Sequence, residues 1–359
     1  MGEILTARLH HYRLPLFGEW TTAAGRFALR EGWLLRITTC TGESAFGDCA
    51  PLAAIGTESL PQAEQALRDF AARLPGQGVA EALAELPAAA RCRTPAARCA
   101  VECALVDLLA QAARQTLCAW LLPGGAGCSG IAVNAALGKL QTASRQAISA
   151  ACEQGYSILK FKVAMVDTDL ELARLKEIAA WLPAGVQLRL DANRGWTLRQ
   201  ASRFITACAT LPLESLEEPL INAQPEDLRA LQDSCGFALA LDESLAQQDL
   251  DDFLATPPVR RLILKPPRLG GLLPALALAR HGASAGVDSV VTSSVDSACG
   301  IFAAAHLAAA LDNGLAHGLA TSSWLSADTG PAPAIENGRL RLVAPCGAGF
   351  VAHRDLAFS

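Results

Sequence analysis

Between Ser157 and Pro266 the chain repeats one pattern five times: Ser157-Ile158-Leu159-Lys160-Phe161-Lys162-Val163, Val186-Gln187-Leu188-Arg189-Leu190-Asp191-Ala192-Asn193, Leu216-Glu217-Glu218-Pro219, Ala238-Leu239-Ala240-Leu241-Asp242-Glu243 and Leu262-Ile263-Leu264-Lys265-Pro266. Each is a short apolar strand that ends in charge. The charged letters at 162, 191, 217, 242 and 265 are separated by 29, 26, 25 and 23 residues. One strand plus one helix takes about that length, so the rhythm is that of a parallel (β/α) barrel. Barrel enzymes carry their chemistry at the C-terminal ends of the strands, where all five of these positions fall.

Working outward, Ile131-Ala132-Val133-Asn134-Ala135-Ala136-Leu137 begins the barrel, and Val290-Val291-Thr292-Ser293-Ser294 and Ala316-His317-Gly318-Leu319 supply its last two strands. Helical patterns lie near 140–154, 168–182, 197–209, 225–234, 246–255, 271–285 and 298–312. On the N-terminal side, residues 3–14 and 33–40 alternate as paired antiparallel strands. A Gly-rich polar loop from Gly18 to Gly32 joins them, and a second loop runs from 49 to 58. Alanine, leucine and arginine at helical spacing fill Leu60 to Leu122, the longest helix spanning about 95–115. Pro123-Gly124-Gly125-Ala126-Gly127 is linker composition. The expected fold is therefore α/β: a modified (β/α)8 TIM-type barrel over 126–329, with an α+β capping domain over 1–125. The tail, about 330–359, alternates again and returns to that cap.

Composition narrows the class of protein. Of 359 residues, 51% are hydrophobic, yet no uncharged apolar run approaches the roughly 18 residues a bilayer span needs. Net charge is −5, without a dense basic run, so the electrostatic footprint of a nucleic-acid binder is missing. Twelve scattered cysteines without a Cys-x-x-Cys pair read as reduced, buried thiols of a cytoplasmic protein.

The strand ends dictate the chemistry. Lys160 and Lys162 project to one side of their strand while Phe161 points the other way. Each ammonium depresses the pKa of the other, leaving one of them free to act as a base near neutral pH. Asp191, Glu217 and Asp242 end three consecutive strands, and three converging carboxylates repel unless a cation lies among them. Oxygen donors select a hard divalent ion, Mg²⁺ before Mn²⁺, over zinc. Glu218 competes with Glu217 for that role and Glu243 with Asp242, because alternation points only one of each pair inward. The competing reading is three solvated loop acids. Lys265 ends the sixth strand, across the barrel from Lys162. A cation flanked by two opposed lysines suits a small-molecule carboxylate: one lysine removes the α-proton while metal and second lysine hold the enediolate. A lone Schiff-base lysine of the aldolase type is a remote alternative, since it needs none of the acids.

These residues resemble the enolase superfamily, its muconate-lactonizing subgroup, and within that the o-succinylbenzoate synthase family. Leu188–Thr197, Leu216-Glu217-Glu218-Pro219, Asp242-Glu243-Ser244-Leu245 and Thr292-Ser293-Ser294-Val295-Asp296-Ser297 carry the resemblance, which extends over nearly the whole chain. It implies a Mg²⁺-dependent syn-dehydration of 2-succinyl-6-hydroxy-2,4-cyclohexadiene-1-carboxylate to 2-succinylbenzoate, a step of menaquinone biosynthesis. It further implies Asp191, Glu217 and Asp242 as metal ligands, Lys162 as base and Lys265 as the enediolate's cation. Lys160 would tune Lys162, and Asn193 would line the metal site. Ser293, Ser294 and Arg26 would lie near substrate, with the loops at 18–32 and 51–58 closing over it. N-succinylamino acid racemases use the same two lysines. Dipeptide epimerases of this subgroup carry Asp-x-Asp after strand eight, where this chain has Ala320-Thr321-Ser322-Ser323.

Overall fold

Strands and helices alternate from residue 135 to 311 as the spacing of the charged strand ends requires. The computed structural model of the protein describes residues 2–22, 25–124, 129–247 and 250–359; the side chains of 19–22, 26, 246, 247 and 251 also lie outside the description. The cap begins with β1 (Ile4–Thr22), β2 (Gly25–Thr39) and β3 (Ser44–Cys49). Helices α1 (Leu60–Arg73), α2 (Val79–Ala84), α3 (Pro95–Ala112) and α4 (Leu117–Leu121) follow, then β4 (Gly130–Ala132). The barrel runs through β5 (Ala135–Lys139), α5 (Arg145–Glu153), β6 (Ile158–Lys162), α6 (Thr168–Ala179), β7 (Gln187–Asp191), α7 (Leu198–Ala207), β8 (Leu213–Glu217) and α8 (Pro225–Asp233). It continues with β9 (Ala238–Leu241), α9 (Leu250–Ala255), β10 (Arg261–Leu264), the short α10 (Pro266–Leu269), α11 (Leu272–Ser284), β11 (Asp288–Val291) and α12 (Ala298–Leu311). A hairpin, β12 (Ile335–Glu336) and β13 (Arg339–Arg341), pairs with β4.

Strands β5 to β11 form one parallel sheet in chain order. The ring closes through single parallel bridges, Thr292 to Gly318 and Val133 to His317, in place of a full eighth strand. Strand alternation explains what faces where. Outward leucines, among them Leu188, Leu190, Leu216, Leu239, Leu241, Leu262 and Leu264, pack with the helices in one buried cluster. Each fully buried leucine contributes about 2 kcal/mol. Inward, Ala240, Ile263 and Val290 make a small apolar plug. A register shift between Leu188 and Arg189 sets Glu214 and Ser215 against Arg189. Such a bulge re-aims a side chain, and Glu214 meets Arg189 Nε at 3.0 Å and pairs with Arg261. Burial alone would raise the Glu214 carboxyl; the two guanidiniums reverse that and hold it at about 2.

The cap is a three-stranded antiparallel sheet, β1-β2-β3, covered by α3. Fourteen of the residues of α3 are buried, the composition of a helix enclosed on all sides. It lies so close to β3 that a Cβ on Gly47 would stand 1.8 Å from the Ala100 carbonyl oxygen. One expectation fails here. The described residues of 18–32 are not a loop: β1 runs to Thr22 and β2 starts at Gly25, extending as a ribbon that pairs Thr21 with Arg26 and Thr22 with Gly25. Ladder hydrogen bonds join backbone groups, so polar and glycine-rich composition does not prevent them. β3 also escaped the sequence reading. The tail reaches the cap, where Ser359 and Leu9 exchange both backbone hydrogen bonds, at 3.0 and 2.9 Å. Among the described residues no helix is long and apolar enough to cross a membrane.

His306 ties three of these parts together. Its Nδ1 accepts from the Cys118 N–H at 3.1 Å, and its Nε2 donates to the Ala348 carbonyl at 3.0 Å, which requires the neutral ring. Burial pushes its pKa down to about 4. Below an unfolded pKa of about 6.5 the unfolded chain takes up a proton that the folded one refuses. Stability is therefore whole above that pH and lost as pH falls from about 6.5 toward 4. Chemical denaturation at pH 7 and pH 4 should show the protein losing about 2–3 kcal/mol relative to His306→Gln, which keeps both bonds without titrating.

Candidate active site

The inner face of β6 to β11 opens at its C-terminal end into a cavity of about 900 Å³, counting its open mouth. Lys160, Lys162, Asp191, Asn193, Glu217, Asp242, Lys265, Ser293 and Ser294 all line it. The register explains the convergence. Lys162 pairs with Asp191 and Asp191 with Glu217, so consecutive strands present their last inward residues at one level. Asp242 and Lys265 stand two residues beyond the inward Ala240 and Ile263, and share their side. β6 and β10 are four strands apart in the ring, which sets Lys162 and Lys265 opposite each other.

The charges are arranged in two groups. Lys160 Nζ lies 2.6 Å from Glu217 Oε2 and 3.1 Å from Asp191 Oδ2. Burial works against its charge, but Asp191 and Glu217 outweigh it, so the Lys160 pKa is raised. The two lysines are thus not equivalent, as mutual repulsion alone would make them. Lys162, which donates to Asn193 Oδ1 at 2.9 Å, has a lowered pKa: burial depresses it first, and Lys160 adds to that against the pull of Asp191. In the second group Lys265 pairs with Asp242, and Arg268 Nη1 approaches Asp242 Oδ1 at 2.8 Å. Those cations overcome burial and hold Asp242 at about 2. Burial and the charge of Asp191 push Glu217 up to about 7, and burial with Asp242 does the same to Glu243.

The paired acids resolve differently. Glu218 has φ +48° and turns away from the cavity. Its carboxylate accepts from the Asp242 N–H (2.7 Å), the Ser244 N–H (2.8 Å) and the Ser244 hydroxyl (2.6 Å). It anchors the turn that carries Asp242. Glu243, by contrast, lines the cavity together with Asp242, against the expectation that only one would face inward. β9 ends at Leu241 and a 3-10 turn starts at Glu243, so strand alternation no longer applies there. Asn193 Nδ2 reaches Glu243 Oε1 at 3.3 Å.

The oxygen donors available to a hard cation are thus Asp191, Glu217, Asp242 and Glu243. As they stand, among the described residues no three acidic, histidine or cysteine side chains are placed to share one ion. Lys160, Lys265 and Arg268 bridge three of the carboxylates instead. A charge deficit nonetheless persists at Glu217 and Glu243, both pushed up to about 7, and Glu243 Oε2 is buried without a hydrogen bond. An unsatisfied buried oxygen beside carboxylates that repel one another suits a divalent ion. The donor set fits one.

Sequence reasoning did not single out every residue at the site. Arg268, which pairs with Asp242 behind the cavity, gave no signal beyond its place three residues after Lys265. Thr321 and Trp324 come from a loop that carries no strand rhythm. Ser293 Oγ lies 2.6 Å from Thr321 Oγ1. Ile55 brings the 51–58 loop to the cavity; the side chain of Arg26 lies outside the described residues.

Comparison with known proteins agrees with this geometry. A family described as Enolase C-terminal domain-like matches residues 143–356, and one described as MenC, N-terminal domain, matches 4–105. The chain is 30% identical to an o-succinylbenzoate synthase of Edwardsiella ictaluri, over 89% of this chain and 91% of that one. It is 28% identical to the L-Ala-D/L-Glu epimerase of Bacillus subtilis, over 87% and 86%. A dipeptide epimerase from Enterococcus faecalis, solved with Mg and the dipeptide L-Leu-L-Tyr, superposes with a TM-score of 0.86 at 25% identity, covering 98% of this chain and 100% of that one.

Glu218 offers a structural test. Glu218→Ala leaves three buried donors without an acceptor and should cost at least about 3 kcal/mol in urea denaturation, whereas Glu218→Gln, which keeps one acceptor oxygen, should cost about 1 kcal/mol.

Proposed function

The chain belongs to the enolase superfamily, in its o-succinylbenzoate synthase-like subgroup, and is an enzyme; from that premise we propose that it is a Mg²⁺-dependent hydro-lyase of the o-succinylbenzoate synthase type. The substrate is 2-succinyl-6-hydroxy-2,4-cyclohexadiene-1-carboxylate, a small cytoplasmic carboxylate, and the product is 2-succinylbenzoate of menaquinone biosynthesis. The observation that carries this reading is the pair of opposed lysines, one with a lowered pKa, over a bed of buried carboxylates.

Asp191, Glu217 and Asp242 would hold Mg²⁺, which supplies Lewis-acid charge to the substrate carboxylate. Lys162, kept basic by burial and by Lys160, takes the α-proton. Lys265, on the facing strand, balances the negative charge that develops on the carboxylate. Asn193 holds the Lys162 ammonium through Oδ1 and so fixes where the proton is taken and returned. Lys162 then gives that proton to the departing hydroxyl on the same face, a syn elimination that needs one acid–base group. Ser293, paired with Thr321, and Ser294 lie on the side of the cavity that would receive the succinyl arm.

A second reading keeps the same residues. Lysines on opposite faces can each remove or return an α-proton, which is racemisation of an N-succinylamino acid, and epimerases are among the relatives. The absence of acids in Ala320-Thr321-Ser322-Ser323 disfavours dipeptides, whose amine needs a carboxylate partner.

Two measurements test the proposal. Lys162→Ala should lower kcat for dehydration by at least about 10³, and the wild-type enzyme in D₂O should show weaker α-proton exchange on N-succinylamino acids than dehydration; the reverse ranking would favour the racemase. Mg²⁺ at one hundred times its Kd should add about 2.7 kcal/mol of stability. Asp191→Asn, Glu217→Gln and Asp242→Asn should each remove that gain, while Glu218→Gln should keep it, as read by thermal unfolding.

A further inference from the structure

The cap meets the barrel mouth at two adjacent rungs of the β1–β2 ribbon, where Leu14 pairs with Arg30 and Pro15 with Leu29. Arg30 is 2% exposed, and its guanidinium reaches three carbonyls. Nη2 donates to Ala50 at 2.7 Å, Nη1 to Pro51 at 3.4 Å and Nε to Val295 at 3.3 Å. Ala50 and Pro51 begin the loop that brings Ile55 to the cavity, and Val295 lines it directly after Ser293 and Ser294. On the other strand, one rung along, Pro15 accepts from both the Ser326 N–H (2.8 Å) and its hydroxyl (3.0 Å). Ser326 ends the loop carrying Thr321 and Trp324.

Val295 shows that this contact constrains the loop. It is buried with φ +58°, a left-handed conformation that a β-branched residue adopts only where its surroundings impose it. Its carbonyl is the one the Arg30 Nε holds. A buried guanidinium needs opposing charge, and Asp48 and Asp296 stand close enough to act on it. Asp48 is itself fixed by the Tyr12 hydroxyl at 2.5 Å and the Ser297 N–H at 3.0 Å.

We propose that Arg30 is a positioning residue that sets the far wall of the substrate cavity, holding the 50–58 and 293–297 segments in register while Pro15 holds 321–326. The proposal rests on the dehydratase reading for the identity of the ligand, but not for the structural coupling. Arg30 bonds backbone carbonyls and none of the cavity's lysines or of Asp191, Glu217 and Asp242, so it acts on how substrate is held rather than on proton transfer. A planar fork that satisfies three carbonyls at once has no equivalent in lysine or methionine.

The test compares Arg30→Met and Arg30→Lys with the parent enzyme in two independent ways. In ligand-free protein, hydrogen–deuterium exchange of 50–58 and 293–297 should rise together by about tenfold in Arg30→Met while β7 and β8 stay unchanged. In steady-state dehydration, KM should rise about tenfold with kcat within a factor of about three, and Arg30→Lys should fall between. Parental exchange and KM in every variant that folds would overturn the proposal, as would loss of kcat at unchanged KM. A parent that does not dehydrate the cyclohexadiene carboxylate would instead overturn the dehydratase reading, and the exchange result would still decide the role of Arg30.

Discussion

Buried carboxylates at the mouth of a closed sheet are the constraint on which this protein depends. Asp191, Glu217 and Asp242 are each at most 5% exposed, and they face one cavity. Like charges so placed are tolerable only with positive charge among them. The chain supplies it with Lys160 between Asp191 and Glu217, and with Lys265 and Arg268 on Asp242. Glu217 and Glu243, pushed to about 7, show that this compensation is incomplete. The deficit lies where, on the proposed reading, a hard divalent ion and an anionic substrate would meet.

The same constraint divides the labour of two lysines that are neighbours on one strand. Lys160 is clamped by two acids and is held protonated, whereas Lys162 lies one step nearer the mouth, facing a neutral amide. One is held as fixed charge, and the other, its pKa lowered, is the base of the proposed reaction. Glu218 shows a related economy. Adjacent to a cavity acid, it spends its carboxylate on backbone N–H groups and thereby fixes Asp242. Two neighbouring glutamates thus perform different tasks because one residue in the left-handed region reverses the direction of the second.

Around this centre the fold separates a half built of paired strands from a half built of loops. β6 to β10 deliver the acids and lysines from paired strands whose outer faces are packed in leucine. The opposite wall is assembled from loops after β3, β11 and the reduced eighth strand, and it is braced from the cap. α3 contributes a second brace: Glu102 accepts from the Leu273 N–H at 2.8 Å, and Arg98 bonds Gly270, behind the segment that carries Lys265 and Arg268. A Cβ on Gly271 would stand 2.1 Å from Glu102 Oε1, so the close approach of cap to barrel is built on that glycine.

The sequence by itself determined the barrel, its strand ends and the residue types that meet there. Those are local properties: apolar runs of strand length, a charged terminus and a repeat set by one strand and one helix. It missed the ribbon at 18–32, because backbone pairing leaves no mark in side-chain polarity, and it missed Arg268, Thr321 and Trp324, which belong to no repeat. Only the tertiary structure decided that Glu218 turns into backbone amides, that Glu243 joins Asp242 in the cavity, and that Lys160 rather than Lys162 takes the two carboxylates. Each of those choices depends on a backbone angle or a partner from another strand, and burial and Coulomb energy act on distances that no linear spacing contains.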